Sequence, residues 1–372
     1  MWQTILRIPI PQFLQNAFGF SPTLPLYGYG LMLVIAFLLA TELAKFISRR
    51  VGINPEHFIN AGLIALITGV IGARTSHILE NLRDYTDPSR SIWGNFKAMI
   101  DLSSGGLTYY GGVLLATPCT LAYAFYKKVP LRLGMDIVAP CLMVGLGIGR
   151  VGCFLNGCCY GAGVQTPISM QFPYPSPAYL DDQSYSLAPA PEDIILRVPG
   201  YESRVLLVNE LLEIETVHAR LASEGHDAVL AELQSRGGLF ANPTYANAYL
   251  DHAAQYGGED LVALAKQQHS APHIPAQLLT TITCLLIALV LFAYFPFPHA
   301  PGRVFALMLM IEGTTRYLLE MIRVEPPVTQ MFGHGLSFSM VLALFLVPTG
   351  IILWFVFGFL DRQRMPAQLS PA

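Results

Sequence analysis

Gln277-Leu-Leu-Thr-Thr-Ile-Thr-Cys-Leu-Leu-Ile-Ala-Leu-Val-Leu-Phe-Ala-Tyr-Phe295 carries no charged residue from end to end. At about 1.5 Å per residue a helix of this length reaches across roughly 30 Å, the thickness of a bilayer's hydrocarbon core. Six more apolar runs of similar length lie on either side: Leu26–Phe46, Phe58–Leu79, Leu107–Phe125, Met135–Phe154, Val304–Ile322 and Leu336–Leu360. The expected fold class is all-α, a polytopic membrane helical bundle of about seven transmembrane helices.

Composition agrees with that reading. Hydrophobic residues make up 53% of the 372, charged residues 13%, and the mean hydropathy is +0.47. A soluble domain carries roughly 25% charged residues, so half the usual charge cannot cover a water-facing surface. The net charge is only −3, and no basic tract suggests a nucleic-acid partner. Residues 1–25 contain Pro9, Pro11, Pro22 and Pro25 and lack a basic start followed by an unbroken apolar run. No cleavable signal peptide is therefore expected, and Met1–Phe20 reads either as a short interfacial helix or as a mobile terminus.

Charge in the connections sets an orientation. Lys45, Arg49 and Arg50 mark the end of the first span, Lys127, Lys128 and Arg132 that of the third, Arg303 follows the fifth, and Arg362 and Arg364 the seventh. With alternating spans these lie on one side, which the positive-inside rule makes cytoplasmic. The N-terminus is then outside and the C-terminal tail, residues 362–372, inside. The opposite side holds residues 161–275, with 14 acidic and five basic residues. This segment reads as an acidic extracytoplasmic insert, either a small cap or a loose loop. Helical apolar spacing over Asn209–Arg236, broken at residues 223–226, suggests two short helices. The chain thus divides into an N-terminal segment 1–25, spans one to four (26–160), the insert, spans five to seven (276–361) and the tail. No internal repeat is evident.

Several charges fall where lipid makes them costly. Glu312, Arg316, Glu320 and Arg323 are spaced four, four and three apart, one stripe of a helix. An ion near the bilayer centre costs roughly 2.5–3.5 kcal/mol, so the stripe faces partners or a wet cavity, or neutralises itself as a ladder. Span four ends in Gly149-Arg150-Val-Gly-Cys153-Phe-Leu-Asn156-Gly-Cys158-Cys159-Tyr-Gly161. Its glycines permit close backbone approach, and Arg150 has the planar fork suited to phosphate. Asp136 reads as a cap of its own helix, and Arg74 as a partner for Glu80 or Glu320. Ser104-Gly-Gly-Leu-Thr-Tyr-Tyr110-Gly111-Gly112 opens span three with two tyrosines among glycines, and Tyr29 has a similar setting.

Taken together these motifs resemble the prolipoprotein diacylglyceryl transferase family over residues 26–161 and 275–360, the acidic insert excluded. Residues 149–157 match its Gly-Arg-x-Gly-x-Phe-x-Asn-Gly run, and Gly161 a glycine shortly after. Ser104–Gly112, Tyr29-Gly-Leu-Met32, Asp136, Pro275-Ala-Gln-Leu278, and Arg316 with Glu320-x-x-Arg323 match in order. The resemblance implies transfer of diacylglycerol from phosphatidylglycerol to the thiol of a lipobox cysteine on a pre-lipoprotein at the bacterial plasma membrane. Its site would lie toward the extracytoplasmic side. The partners implied are that lipid, the lipobox signal peptide and the bilayer; no cofactor and no nucleic acid is implied. Arg150, Arg316 and Tyr110 are the expected catalytic residues. Tyr29, Arg74, Gly111, Gly112, Asn156, Gly161, Glu320 and Arg323 are expected to bind substrate.

Four departures are visible. The family's His-Gly-Gly is Tyr110-Gly111-Gly112 here, Cys153 and Cys158 stand where an Asn and a Glu are usual, and the Tyr usual after the Gln of the next span is missing, with Leu278-Leu279-Thr280 present instead. Cys153, Cys158 and Cys159 fit a disulfide, small residues packed among glycines, or a metal or thiol-relay site. With no companion Cys or His cluster at zinc-like spacing, no metal is expected. Cys119, Cys141 and Cys284 read as small core residues. Two other functions remain open: a transporter lined by the span-six charges, and a family member that binds phospholipid without chemistry.

Overall fold

The computed structural model describes residues 4–9, 23–86, 92–100, 106–184, 190–201, 203–235, 238–323, 329–331 and 334–362. The Ser103–Gly105 stretch, most of the 1–25 segment and nearly all of the tail lie outside the described residues. Long helices occupy all seven apolar runs: Gly28–Val51, Glu56–Glu80, Tyr109–Tyr126, Leu131–Asn156, Ala276–Tyr294, Arg303–Glu320 and Phe338–Arg362. Five of them are long and apolar enough to cross a membrane. Tyr109–Tyr126 falls short because its tyrosines, glycines and threonines dilute the apolar residues, and Arg303–Glu320 because it holds four charges. Val34, Leu38, Ile67, Phe345 and Phe355 on these helices are more than half exposed. An apolar surface of this extent is stable against lipid rather than water. The chain is an all-α polytopic membrane protein.

The described residues form two compact units. One comprises Leu33–Ile148, Ile282–Tyr317 and Phe338–Ala372. Within it the Glu56–Glu80 and Tyr109–Tyr126 helices pack through glycines. A Cβ on Gly112 would stand 2.9 Å from the Gly69 carbonyl, and one on Gly72 would stand 2.8 Å from Leu115 Cβ. Small residues at the seam let the two backbones meet, the usual device for helices that water does not press together. A second cluster, Ala139, Met143, Ile287, Leu291, Val304 and Met308, joins three more helices.

Asp136 corrects one expectation. It lies in the second turn of its own helix, fully buried, and caps a neighbour instead. Its carboxylate accepts the Gly302 N–H at 2.6 Å and the Phe305 N–H at 2.9 Å, at the start of the Arg303–Glu320 helix. These are orphan donors of a helix N-terminus, which a buried carboxylate satisfies from outside as well as a local cap does.

The other unit comprises Met1–Met32, Gly149–Thr281 and Leu318–Ser337. The N-terminal residues described, Thr4–Pro9 and Thr23–Tyr27, are strands; the rest of the Met1–Phe20 stretch lies outside the described residues. Thr4–Pro9 pairs antiparallel with Thr23–Tyr27, and the first long helix starts only at Gly28. Thr, Ile, Leu and Tyr favour the pleated backbone, and Pro25 cannot sit inside a helix without losing a hydrogen bond. Residues 161–275 form a folded body with its own core, in which Tyr179, Leu196, Leu206, Leu211, Ile214 and Leu250 are all fully buried. Helices Val208–Glu224 and His226–Ser235 flank Gly225, whose φ of +85° ends the first of them.

Candidate functional site

The arginine motif occupies the last turns of the Leu131–Asn156 helix, and its glycines set the geometry there. Gly157, at φ +74°, donates its N–H to the Phe154 carbonyl at 3.1 Å, and Cys158 donates to the Cys153 carbonyl at 3.1 Å. This pair of bonds is a Schellman ending, which needs a left-handed residue at the glycine position. Gly152 lies under the start of the Gly28–Val51 helix, where a Cβ would stand 3.1 Å from Met32 Cβ and 3.2 Å from the Tyr29 ring. Arg150, half-buried, is close enough to Tyr29 and to Cys159 to act electrostatically on both. Asn156 hydrogen-bonds the Cys158 side chain.

Gly161 is clasped by backbone on two sides. Its N–H donates to the Ile274 carbonyl at 2.8 Å, Ala162 donates to Ile322 at 2.9 Å, and Gly161 bridges Arg323. A Cβ there would lie 3.0 Å from Ile274 and 3.2 Å from the Ile322 carbonyl, so packing alone demands glycine. Arg323 corrects the stripe: the helix stops at Glu320, and Arg323 sits in that bridge rather than on a helical face. Its guanidinium still reaches back to the buried Glu320 carboxylate, Nη1 to Oε2 at 3.2 Å, while Ser337 Oγ donates to Oε1 at 3.2 Å.

In the other unit Arg316 is half-buried, with Nη2 3.4 Å from Ser339 Oγ. The Tyr110 ring stands edge-on to Phe338, centroids 4.4 Å apart, and is 38% exposed. Arg74, 6% exposed, donates to the carbonyls of Ala98 at 2.8 Å, Met99 at 2.8 Å and Gly106 at 3.0 Å. It binds together the chain leading into the Tyr109–Tyr126 helix. Gly111 and Gly112 face the Glu56–Glu80 helix. Glu80 accepts hydroxyls from Ser76 and Thr108, each at 2.9 Å. Farther along the same helices an apolar cavity of about 590 Å³ opens among Phe37, Ala61, Ala65, Thr120, Val138 and Leu142, within the size range of ligand pockets.

A family model described as prolipoprotein diacylglyceryl transferase matches residues 15–356. The chain belongs to the prolipoprotein diacylglyceryl transferase family. It is similar to the phosphatidylglycerol–prolipoprotein diacylglyceryl transferase of Rhodopirellula baltica, 33% identical over 46% of this chain and 35% of that protein. It is also similar to those of Clostridium tetani, 30% identical over 40% of this chain and 57% of that protein, and Fusobacterium nucleatum, 36% over 40% and 49%. The chain thus aligns with well under two thirds of the length of each of these relatives.

Within this family member the structure also engages residues that were not among the expected site residues. The fully buried Gln277 donates from Nε2 to the Cys158 carbonyl at 2.7 Å, and its Oε1 has no partner among the described residues. His273 and Asp182, 91 positions apart, form a buried pair at 3.0 Å, with His273 Nδ1 3.2 Å from the Gly161 carbonyl. His77 lies against Gly106, beside Arg74. All six cysteines are free thiols; Cys141 and Cys284 are buried as expected of core residues.

Proposed function

We propose that the protein transfers diacylglycerol from phosphatidylglycerol to the thiol of a lipobox cysteine on a pre-lipoprotein. It would do so in a bacterial inner membrane, with the site toward the extracytoplasmic side. The family match over residues 15–356 carries the reading. The thiolate attacks a glyceryl carbon, the carbon–oxygen bond to phosphate breaks, and glycerol phosphate leaves with the electron pair. Arg150 and Arg316 each carry a guanidinium suited to neutralise phosphate, whose charge grows in the transition state. Tyr29 and Asn156 bind beside Arg150, and the buried Glu320 fixes Arg323. Tyr110 supplies a hydrogen-bonding hydroxyl. Because the donors of Arg74 and the backbone of Gly111, Gly112 and Gly161 are engaged by protein, these four act as positioning residues.

The test is transfer from labelled phosphatidylglycerol to a lipobox peptide by the purified chain in detergent. Wild type forms a thioether product, and Arg150→Ala and Arg316→Ala each lower kcat/KM by about 10²–10³, the usual effect of losing one charge-stabilising donor. Wild type that binds the lipid yet makes no thioether would overturn the enzymatic reading in favour of lipid binding alone.

A further inference from the structure

The Sγ atoms of Cys153, Cys158 and Cys159 lie within 4.8 Å of one another at the end of the Leu131–Asn156 helix. The Schellman ending explains the first pair. Its long bond, from Cys158 N–H to the Cys153 carbonyl, sets these two residues side by side. Cys159, at φ +62°, then turns its own side chain into the same spot. Five and six positions thus collapse to one place, a closeness that linear spacing of the Cys-x4-Cys-Cys type does not disclose.

From this geometry we infer that the three cysteines bind a zinc ion whose open fourth position takes the acceptor thiol. At a Zn–S distance of about 2.3 Å, tetrahedral thiolates stand roughly 3.8 Å apart, within the observed spread. No fourth Cys, His, Asp or Glu joins the cluster among the described residues, and three protein ligands with a free position is the pattern of catalytic zinc. All three cysteines are half-buried, so the free position is within reach of a peptide. Zinc with three thiolates is a net monoanion, and the guanidinium groups of Arg150 and Arg323 act on Cys159 to offset it. Asn156 and Gln277, bonded to the Cys158 side chain and carbonyl, supply outer support of the kind metal ligands need.

The inference rests on the proposed thiol acceptor and supplies what that reaction lacks. A free cysteine has a pKa near 8.5, so at neutral pH most of it is the unreactive thiol. Arg150, Arg316 and Arg323 are cations, and Tyr110 stands in place of the His of the family motif, so none of them brings an imidazole base. Zinc displaces the acceptor's proton to solvent and holds the sulfur as thiolate. That sulfur then attacks the glyceryl carbon, and the phosphate takes the electron pair of the broken bond.

Full-length protein is purified in detergent under reducing conditions, stripped with a chelator, and titrated with Zn(II) and with Co(II) as a spectroscopic stand-in. Wild type takes up one ion per chain with thiolate-to-cobalt charge transfer. Cys153→Ser, Cys158→Ser and Cys159→Ser each weaken binding by more than ~100-fold, beyond the loss from removing a supporting group. Cys119→Ser, outside the cluster, binds as wild type, and circular dichroism confirms that each variant is folded. Adding a lipobox peptide shifts the cobalt d–d bands, whereas its Cys→Ser analogue does not. A wild-type chain with no stoichiometric metal and three titratable thiols, or with a disulfide among the three, overturns the inference. So does undiminished thioether formation by the stripped protein, which leaves the transferase reading standing. A peptide-dependent cobalt shift without any transfer supports the metal–thiol site and removes the transferase reading.

Discussion

The Asp136 carboxylate caps the helix that begins beside Gly302, accepting the Gly302 N–H at 2.6 Å from 166 residues away in sequence. With Phe305 also bound, one buried side chain satisfies two donors that would otherwise be orphaned at the start of the Arg316-bearing helix. Asp136→Ala leaves both without a partner and is expected to cost about 1–3 kcal/mol. Asp136→Asn keeps an acceptor oxygen and loses less. Thermal unfolding of the two variants in detergent, compared with wild type, measures the difference; equal stability of all three would show the cap to be idle.

Asp182 and His273 hold Gly161 in place by the same logic. The carboxylate accepts the Ala271 N–H at 2.7 Å and meets His273 Nε2 at 3.0 Å, while the other ring nitrogen lies 3.2 Å from the Gly161 carbonyl. Both side chains are almost fully buried. Removing one partner of such a hydrogen-bonded pair leaves the other buried and unsatisfied, at a cost of about 1–3 kcal/mol. Asp182→Ala is therefore destabilising, and in a double-mutant cycle with His273→Ala the second substitution adds little. Simple additivity would mean the two do not interact.

The membrane helices were legible because long apolar runs have few alternatives to a helix; each of the seven runs holds a long helix, and five of these are long and apolar enough to span. What escaped the sequence came from pairs brought together by the fold. Asp136 looks like a local cap until Gly302 arrives beside it, and nothing in spacing joins Asp182 to His273. The N-terminal strand pair was missed because Met1–Phe20 was read as an interfacial helix or a mobile terminus, and only Leu26 and Tyr27 of its partner strand fall in the first apolar run. Arg323 seemed helical because its three-residue offset from Glu320 fits a helix, yet the chain leaves the helix and the long side chain reaches back. The glycines of the arginine motif were read as permitting close backbone approach; at Gly161 and Gly152 it is the chain itself that comes close.

Glycine at the helix seam is selective by position. Gly72→Ala drives a methyl against the Gly111 carbonyl and Leu115, backbone and Cβ that cannot swing away, and is expected to cost about 1–3 kcal/mol. Gly30, also helical, has nothing within 4 Å of the added atom. Gly30→Ala should be neutral or gain up to about 1 kcal/mol from helix propensity. Unfolding midpoints of the two variants check the contrast, and an equal loss in both would remove the packing argument.

Residues 161–275 contain an acid-sensitive clasp. Burial pushes the Glu210 carboxyl up, but the Arg204 fork at 2.6 and 2.8 Å and the Leu207 N–H outweigh it and hold the carboxyl below its usual value of 4.5. A lowered folded-state pKa means the carboxylate stabilises the fold above about pH 4.5, and this stability drains away as pH falls through the folded value. Arg204 stays charged throughout, so the effect belongs to Glu210. Hydrogen exchange at residues 204–217 of the full-length chain should accelerate as pH drops below 4.5, after correction for intrinsic rates. Glu210→Gln, already lacking the charge, should start faster and respond less; an unchanged acid response in that variant assigns the sensitivity elsewhere.

Gly157 links backbone conformation to the thiol cluster. At φ +74° a side chain is strained by roughly 1–2 kcal/mol, and a Cβ would also stand 2.7 Å from Ser176 Cβ. Gly157→Ala therefore disfavours the Schellman ending that sets Cys158 beside Cys153. The substitution touches no thiol, so its effect on metal affinity isolates geometry from ligand identity. Zinc binding should weaken by at least ~10-fold while the helical circular dichroism stays near that of wild type. Gly157→Asn, which tolerates the left-handed conformation better, should retain more affinity than the alanine variant, since strain eases even though the Ser176 contact remains. Wild-type affinity in Gly157→Ala would mean that the three sulfurs are gathered by something other than this turn.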